Sequence, residues 1–193
     1  MKIRIFFAVS RNVRSIETCA LRWRGGYGHL EIVQWLIETF TLTIDDINDD
    51  QIISDICRFG QLNVAQWLVN HYSLTVDDIR LQDNQTLRWS CFNGHKDLVQ
   101  WLVATFNLTR DDICSQNNYA LLWSCANGHW TRVKWLVATF ALDINDVRSD
   151  NNYALRCSCV NGHLDLVQWF VTTFALDIND VRSDENGFTM GRC

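Results

Sequence analysis

Apolar residues recur with a helical period in the segment YALRCSCVNGHLDLVQWFVTTF, residues Tyr153 to Phe174. After its Gly-His pair, the apolar residues fall at i, i+1, i+4, i+5 and i+8, namely Leu166, Val167, Phe170, Val171 and Phe174. This spacing lines one face of an α-helix, so we expect a second helix from roughly Leu164 to Thr173. Before the pair, small and apolar residues predict a short first helix: Ala154, Leu155, Ser158 and Cys159. Gly162 is expected to end that first helix in a left-handed conformation.

The same pattern occupies residues 119–140 and 85–106, and weaker forms precede them. The Gly-His pairs of these segments lie 34 residues apart, and self-similarity at a fixed period is typical of repeat proteins. We therefore predict an all-α solenoid that forms a single repeat domain. Its full repeats are expected at residues 13–46, 47–78, 79–112, 113–146 and 147–180, with partial repeats at 1–12 and 181–193. In the first repeat, Gly25 and Gly26 predict a short or frayed first helix.

The segment that follows each second helix has the signature of a helix start. An N-cap residue precedes an acid by three positions in Thr43–Asp46, Thr75–Asp78, Thr109–Asp112 and Asp177–Asp180, which predicts a third, short helical turn in each repeat. The recurring aspartates are expected to form a solvated acidic ridge. Arg80, Arg148 and Arg182 lie two positions after an aspartate, so we expect pairing within the turn to soften the charge of this ridge.

The unit resembles the ankyrin repeat over roughly residues 13–186. ALRCSCVNGHLDLVQWFV aligns with the family pattern PLHxAAxxGHLEVVKLLL, and Gly162 and His163 fall on its Gly-His. The chain departs from the family in having no proline, a period of 34 residues instead of 33, and a capped turn where the family has a β-hairpin. Tetratricopeptide repeats share the period, but about fourteen residues between successive helix pairs favour the ankyrin resemblance.

Residues repeated in every unit are interpreted as scaffold, because a catalytic or metal site needs one unique pocket. The repeated residues include histidines (His29, His95, His129, His163), serines (Ser90, Ser124, Ser158) and cysteines (Cys57, Cys91, Cys125, Cys159). We expect the histidines to be hydrogen-bonded turn residues and the cysteines to be small buried residues in a reducing compartment. The sequence thus predicts no enzyme, no catalytic residue, no metal and no cofactor.

Candidate binding residues are those that vary between repeats. The resemblance places the last residues of each first helix on a concave face that binds a protein partner, here Arg58, Phe59, Phe92, Asn93, Ala126, Asn127, Val160 and Asn161. Trp130, with Arg132 and Lys134, adds a basic aromatic spot, although Trp130 could instead pack on its neighbours. Two tryptophan rows, one on each set of helices, are interpreted as core between repeats. The alternative is that the row on the first helices (Trp23, Trp89, Trp123) borders the binding face.

The formal charge of −5 argues against nucleic acid or an anionic membrane as the main partner. MKIRIFFAV is too short for a secretory signal or a membrane span, so we expect a cytoplasmic or nuclear protein. The first hypothesis is a protein-interaction scaffold. The alternatives are a structural or degenerate fragment of a longer array, which would self-associate through uncapped ends, and an adaptor that recruits other machinery.

Overall fold

The structure is a computed structural model that describes residues 18–49, 51–177 and 179–180. Within these ranges the chain is helical and contains no strand. The predicted partial repeats at 1–12 and 181–193 lie outside the described residues, as does Arg182.

The described helices have between 6 and 17 residues. In chain order they are α1 (18–26), α2 (Leu30–Phe40), α3 (Ile44–Asp49), α4 (Ile52–Arg58), α5 (Leu62–Tyr72), α6 (Val76–Phe92), α7 (Lys96–Phe106), α8 (Arg110–Ala126), α9 (Trp130–Phe140), α10 (Ile144–Val160) and α11 (Leu164–Phe174). The second helices are α2, α5, α7, α9 and α11, each of which has 11 residues. The helix predicted from Leu164 to Thr173 is confirmed and is one residue longer.

The third helical turn is also confirmed. It stands alone as α3, and it forms the first part of α6, α8 and α10. In α6 the turn is separated from the first helix of the next repeat by the extended residue Leu81 and by three residues with φ between 53° and 60°, Gln82, Asp83 and Asn84. The same left-handed step occurs at 116–118 in α8 and at 150–152 in α10. Asn and Asp tolerate this conformation better than most residues, which explains their frequency here.

Gly25 and Gly26 were expected to shorten the first helix. This expectation is wrong for the C-terminal end of the helix, because α1 continues through residue 26. Both glycines are buried against α4. A Cβ atom on Gly25 would lie 2.8 Å from Ile56 Cδ1, and one on Gly26 would lie 2.8 Å from Phe59 Cδ2. The cost of glycine in a helix is therefore offset by the close approach of the two helices.

A single apolar core runs through the stack. It is built from one face of each second helix, as in α7 with Leu98, Val99 and Leu102, and from the first helices that pack on one another. Cys57, Cys91 and Cys125 are fully buried at equivalent positions, as the sequence predicted, and the described cysteines are free thiols. Cys159, at the same position in the last full repeat, is exposed.

Neighbouring repeats interlock at the glycine that ends each first helix. Gly128 has φ +65°, and a Cβ atom added to it would lie 2.5 Å from the His163 ring of the next repeat. Gly162 has φ +75°, but nothing lies within 4 Å of an added Cβ atom. The two positions therefore share the left-handed backbone and differ in the contact with a neighbouring histidine.

We expect Gly162→Ala to cost about 1–2 kcal/mol, because only left-handed strain opposes it. Gly128→Ala should cost more, because the added methyl group also displaces the His163 ring. The measurement is the free energy of unfolding in urea for both variants. Equal losses would contradict the interlocking of repeats, and His163→Ala should reduce the difference between the two variants.

Candidate functional site

The repeated histidines are structural. Each ring donates an Nε2–H hydrogen bond to a backbone carbonyl of the preceding repeat: His95 to Arg58 (2.9 Å), His129 to Phe92 (3.1 Å) and His163 to Ala126 (2.9 Å). Burial and the nearby charge of Arg132 lower the pKa of His129, which favours the neutral ring. The prediction that the repeated histidines are hydrogen-bonded turn residues is confirmed for His95, His129 and His163.

The repeated serines are also structural. Ser90, Ser124 and Ser158 are completely buried, and each hydroxyl donates a 2.7 Å hydrogen bond to the carbonyl four residues earlier in its own helix. A hydroxyl held in this way is not directed at a histidine, so these residues do not form a nucleophile and base pair.

The predicted solvated acidic ridge is wrong for most of its members. Asp112, Asp146 and Asp180 are at most 8% exposed, and Asp78 is half-buried. The Asp112 carboxylate accepts the backbone N–H of Thr109 at 2.8 Å and the Thr109 hydroxyl at 3.1 Å. The bond from the Thr109 backbone is one half of the capping box that the sequence predicted, and in the other half the Thr109 side chain accepts the backbone N–H of Asp112.

Pairing within the turn is wrong as well, because Arg80 and Arg148 each pair with the aspartate of the following capped turn. Arg80 binds Asp112 through two hydrogen bonds of 2.7 and 3.0 Å, and Arg148 binds Asp180 with the same two distances. Arg110 reaches Asp146 at 2.7 Å. Hydrogen bonding from the partner arginine lowers the pKa of Asp112 and of Asp180. Successive capped turns are therefore joined to one another by ion pairs.

The first helices carry a continuous row of aromatic rings flanked by two arginines. The Phe92 ring lies 5.4 Å from Trp89 and 4.9 Å from Trp123, and Trp123 lies 5.4 Å from Tyr119. All four aromatic side chains are half-buried. We call this set, completed by Arg58 and Arg88, the arginine-aromatic row.

The two arginines lie over ring faces at the ends of this row. The Arg58 guanidinium carbon is 4.4 Å from the Trp89 ring centroid, and that of Arg88 is 4.9 Å from Tyr119. The sequence analysis singled out Arg58 and Phe92 but missed Arg88 and Tyr119. The missed signal is the spacing of four residues in Arg88 and Phe92 and in Tyr119 and Trp123, which places each pair on one helix face.

The other tryptophan row is partly buried. On the second helices, Trp67, Trp101, Trp135 and Trp169 pack against the core, while Trp35 is 58% exposed. Trp101 and Trp135 meet the phenylalanine five residues later in their own helix, with ring centroids 6.1 and 6.0 Å apart.

The remaining candidate residues differ in accessibility. Arg58, Phe59, Asn93, Asn127, Val160 and Asn161 are exposed, whereas Ala126 is only 6% exposed. The amides of Asn127 and Asn161 donate to carbonyls of the preceding repeat, those of Phe92 (3.2 Å) and Ala126 (2.9 Å). The asparagines thus also hold the surface together.

Trp130 belongs to a separate cluster. It is half-buried, lies 5.8 Å from the Trp169 ring, and is covered by the Lys134 ammonium at 4.3 Å. Arg132, which the sequence analysis placed in a basic aromatic spot, lies in the core with 2% exposure. It occupies the position of Leu98 and Leu166 and donates a hydrogen bond to the Cys91 carbonyl. Burial lowers the pKa of Arg132.

The profile of a family described as Ankyrin repeats (3 copies) matches residues 19–112 and 87–182. The chain therefore belongs to the ankyrin-repeat family, whose members are generally protein-interaction modules without enzymatic activity. A search of curated proteins finds no significant match. None of the helices in the described ranges is long and apolar enough to cross a membrane.

Asp112→Asn should lower the free energy of unfolding at pH 7 by about 1–2 kcal/mol, because it weakens the capping box and the bond to Arg80. Asp111→Asn, at an exposed neighbour, is the matched control and should change little. A loss of equal size in both variants would contradict a specific role for Asp112.

The same comparison has a pH dependence. Because the pKa of Asp112 is lower in the folded than in the unfolded protein, its contribution is complete above about pH 5 and is lost as the pH falls through the folded pKa. Urea unfolding at about pH 7, 5 and 3 should therefore show the wild type and Asp112→Asn converging in acid. A difference that stays constant would rule out this linkage.

Arg132→Leu restores the residue type of the neighbouring repeats and removes a buried cation. We expect it to stabilise the chain by about 1–4 kcal/mol, since a well-packed apolar residue avoids the desolvation cost of the guanidinium. Chemical denaturation measures the change, and Leu98→Met provides a control for repacking at the equivalent site. Destabilisation by Arg132→Leu would show that the hydrogen bond to Cys91 outweighs the desolvation cost.

Proposed function

We propose that the chain is a non-enzymatic scaffold that binds a protein partner on the surface formed by the ends of its first helices. The single observation that carries this proposal is the arginine-aromatic row, in which half-buried rings, the exposed Arg58 and the half-buried Arg88 form one contiguous surface. Tryptophan, tyrosine and arginine are the residues that most often dominate binding energy at protein interfaces.

The proposed surface includes the variable residues at the helix ends and extends along the row. Its members from the sequence analysis are Arg58, Phe59, Phe92, Asn93, Ala126, Asn127, Val160 and Asn161, with Ala126 contributing mainly through the backbone that it holds in place. Trp130, on a second helix, is proposed as a separate and secondary contact. The binding mode requires no cofactor, since a preformed surface of side chains is sufficient.

We further propose that the full repeats have the boundaries predicted from the sequence and that the protein works in a reducing compartment. The second suggestion is supported by the burial of Cys57, Cys91 and Cys125, whose thiols pack as small apolar groups. Burial raises the pKa of Cys91 to about 12, which disfavours the reactive thiolate.

Paired surface variants test the binding surface. Phe59→Glu with Val160→Glu changes two exposed apolar residues of the proposed surface. Ile32→Glu with Val171→Glu makes the same change in charge at exposed apolar residues of the second helices α2 and α11. Wild type and both variants, matched for thermal stability, are used to capture proteins from reducing lysate, and captured proteins are quantified by mass spectrometry.

We expect at least one protein to be captured by the wild type and by the α2 and α11 variant but lost with Phe59→Glu and Val160→Glu. Equal capture by all three chains would place binding elsewhere, and Trp130→Ala would then be tested. Loss of capture in both variants would overturn the assignment to the first-helix surface.

A further inference from the structure

The first helices carry more positive than negative side chains, in contrast to the chain as a whole. The described first-helix segments (18–26, 52–58, 85–92, 119–126 and 153–160) contain five arginines, Arg22, Arg24, Arg58, Arg88 and Arg156, and one acid, Asp55. The chain as a whole has a formal charge of −5. The proposed binding surface is therefore positively charged on an otherwise acidic protein.

Four other arginines of the described stack are already paired with carboxylates. Arg80, Arg110 and Arg148 bind aspartates of the following capped turn, and Arg22 binds Asp55. These four guanidinium groups stabilise the stack and have few hydrogen-bond donors left for a ligand.

Arg58 and Arg88 differ because no carboxylate of the described ranges forms an ion pair with either of them. Arg88 is half-buried and donates one hydrogen bond, of 3.0 Å, to the Gln82 carbonyl; its Nε is buried, so a ligand can reach only the terminal nitrogens. Both guanidinium groups lie on aromatic faces instead, at the two ends of the arginine-aromatic row.

A guanidinium that lies over a ring still has N–H groups free to form hydrogen bonds at its edge. Those groups match the two oxygens of a carboxylate, and the ring limits the conformations that the side chain would lose on binding. The four rings between Arg58 and Arg88 offer apolar contact rather than charge. The row therefore combines two anion-binding ends with an apolar middle.

We propose that the arginine-aromatic row binds an acidic segment of the partner protein, with carboxylates at Arg58 and Arg88 and apolar side chains on the rings between them. The proposal rests on the proposed function, because it names the chemistry of the partner for the same surface. A short acidic segment is favoured over a nucleic acid because the net charge of −5 repels an extended polyanion more strongly than a segment with two carboxylates.

Selection from a random 12-residue peptide library displayed on phage tests this chemistry with the full chain as bait. We expect the wild type to enrich peptides with at least two Asp or Glu residues separated by aromatic or aliphatic residues. The variant Arg58→Gln with Arg88→Gln should lose this enrichment. Lys96→Gln removes a charge from an exposed site on a second helix and should retain it.

Fluorescence anisotropy with the most enriched peptide then measures affinity. The Arg58→Gln and Arg88→Gln variant should bind about tenfold or more weakly, while the control variant stays within about twofold of the wild type. Equal melting temperatures of the variants exclude unfolding as the cause. Equal weakening in both variants would overturn the assignment to Arg58 and Arg88.

The outcomes separate this inference from the proposed function. Neutral or basic peptides could be enriched by the wild type and lost with Phe59→Glu and Val160→Glu. That result would overturn the proposal of an acidic partner but would support the proposed binding surface. Absence of enrichment, combined with equal lysate capture by all chains, would overturn both. Displacement of the peptide by a single-stranded oligonucleotide at equal concentration would show recognition of phosphate rather than of an acidic protein segment.

Discussion

The contact on which the stack depends is the seating of a histidine ring over the glycine of the preceding repeat. The absent glycine side chain makes room for the ring, and the ring donates to a carbonyl at the end of the first helix. A single repeat cannot bury enough apolar surface to fold alone, so each border must also satisfy backbone groups. The accepting carbonyls belong to Arg58, Phe92 and Ala126, and the border contact therefore also fixes the backbone of the candidate surface.

Charged side chains have different partners at the capped turns and at the first helices. At the capped turns, each N3 aspartate from Asp112 to Asp180 is matched by an arginine of the preceding capped turn, so its charge is neutralised where it is buried. At the first helices, Arg58 and Arg88 lie on aromatic rings and form no ion pair within the described ranges. Arginine thus links successive capped turns on one side of the stack and is a potential ligand contact on the first helices.

Local patterns predicted local structure well. The period of apolar residues identified the second helices, and the spacing of Thr109 and Asp112 identified the capped turns. What the sequence did not reveal depends on the neighbouring repeat. The partner of Arg80 lies 32 residues away. The glycine at position 26 is required only because the Phe59 ring packs against it. Arg132 was expected at the surface, but packing against the neighbouring repeat buries it. The arginine-aromatic row likewise combines side chains from three repeats.

The contacts between successive units of the stack join residues that lie 32 to 37 positions apart, as in Arg80 with Asp112 and Ala126 with His163. Each unit of the regular stack thus carries both halves of the contact, one facing forward and one facing back. A tandem duplication of such a unit would bring compatible halves together at the new border without further substitution. Gene duplication could therefore lengthen this array in steps of 34 residues, and each copy could then diverge at the helix ends while its borders stayed the same.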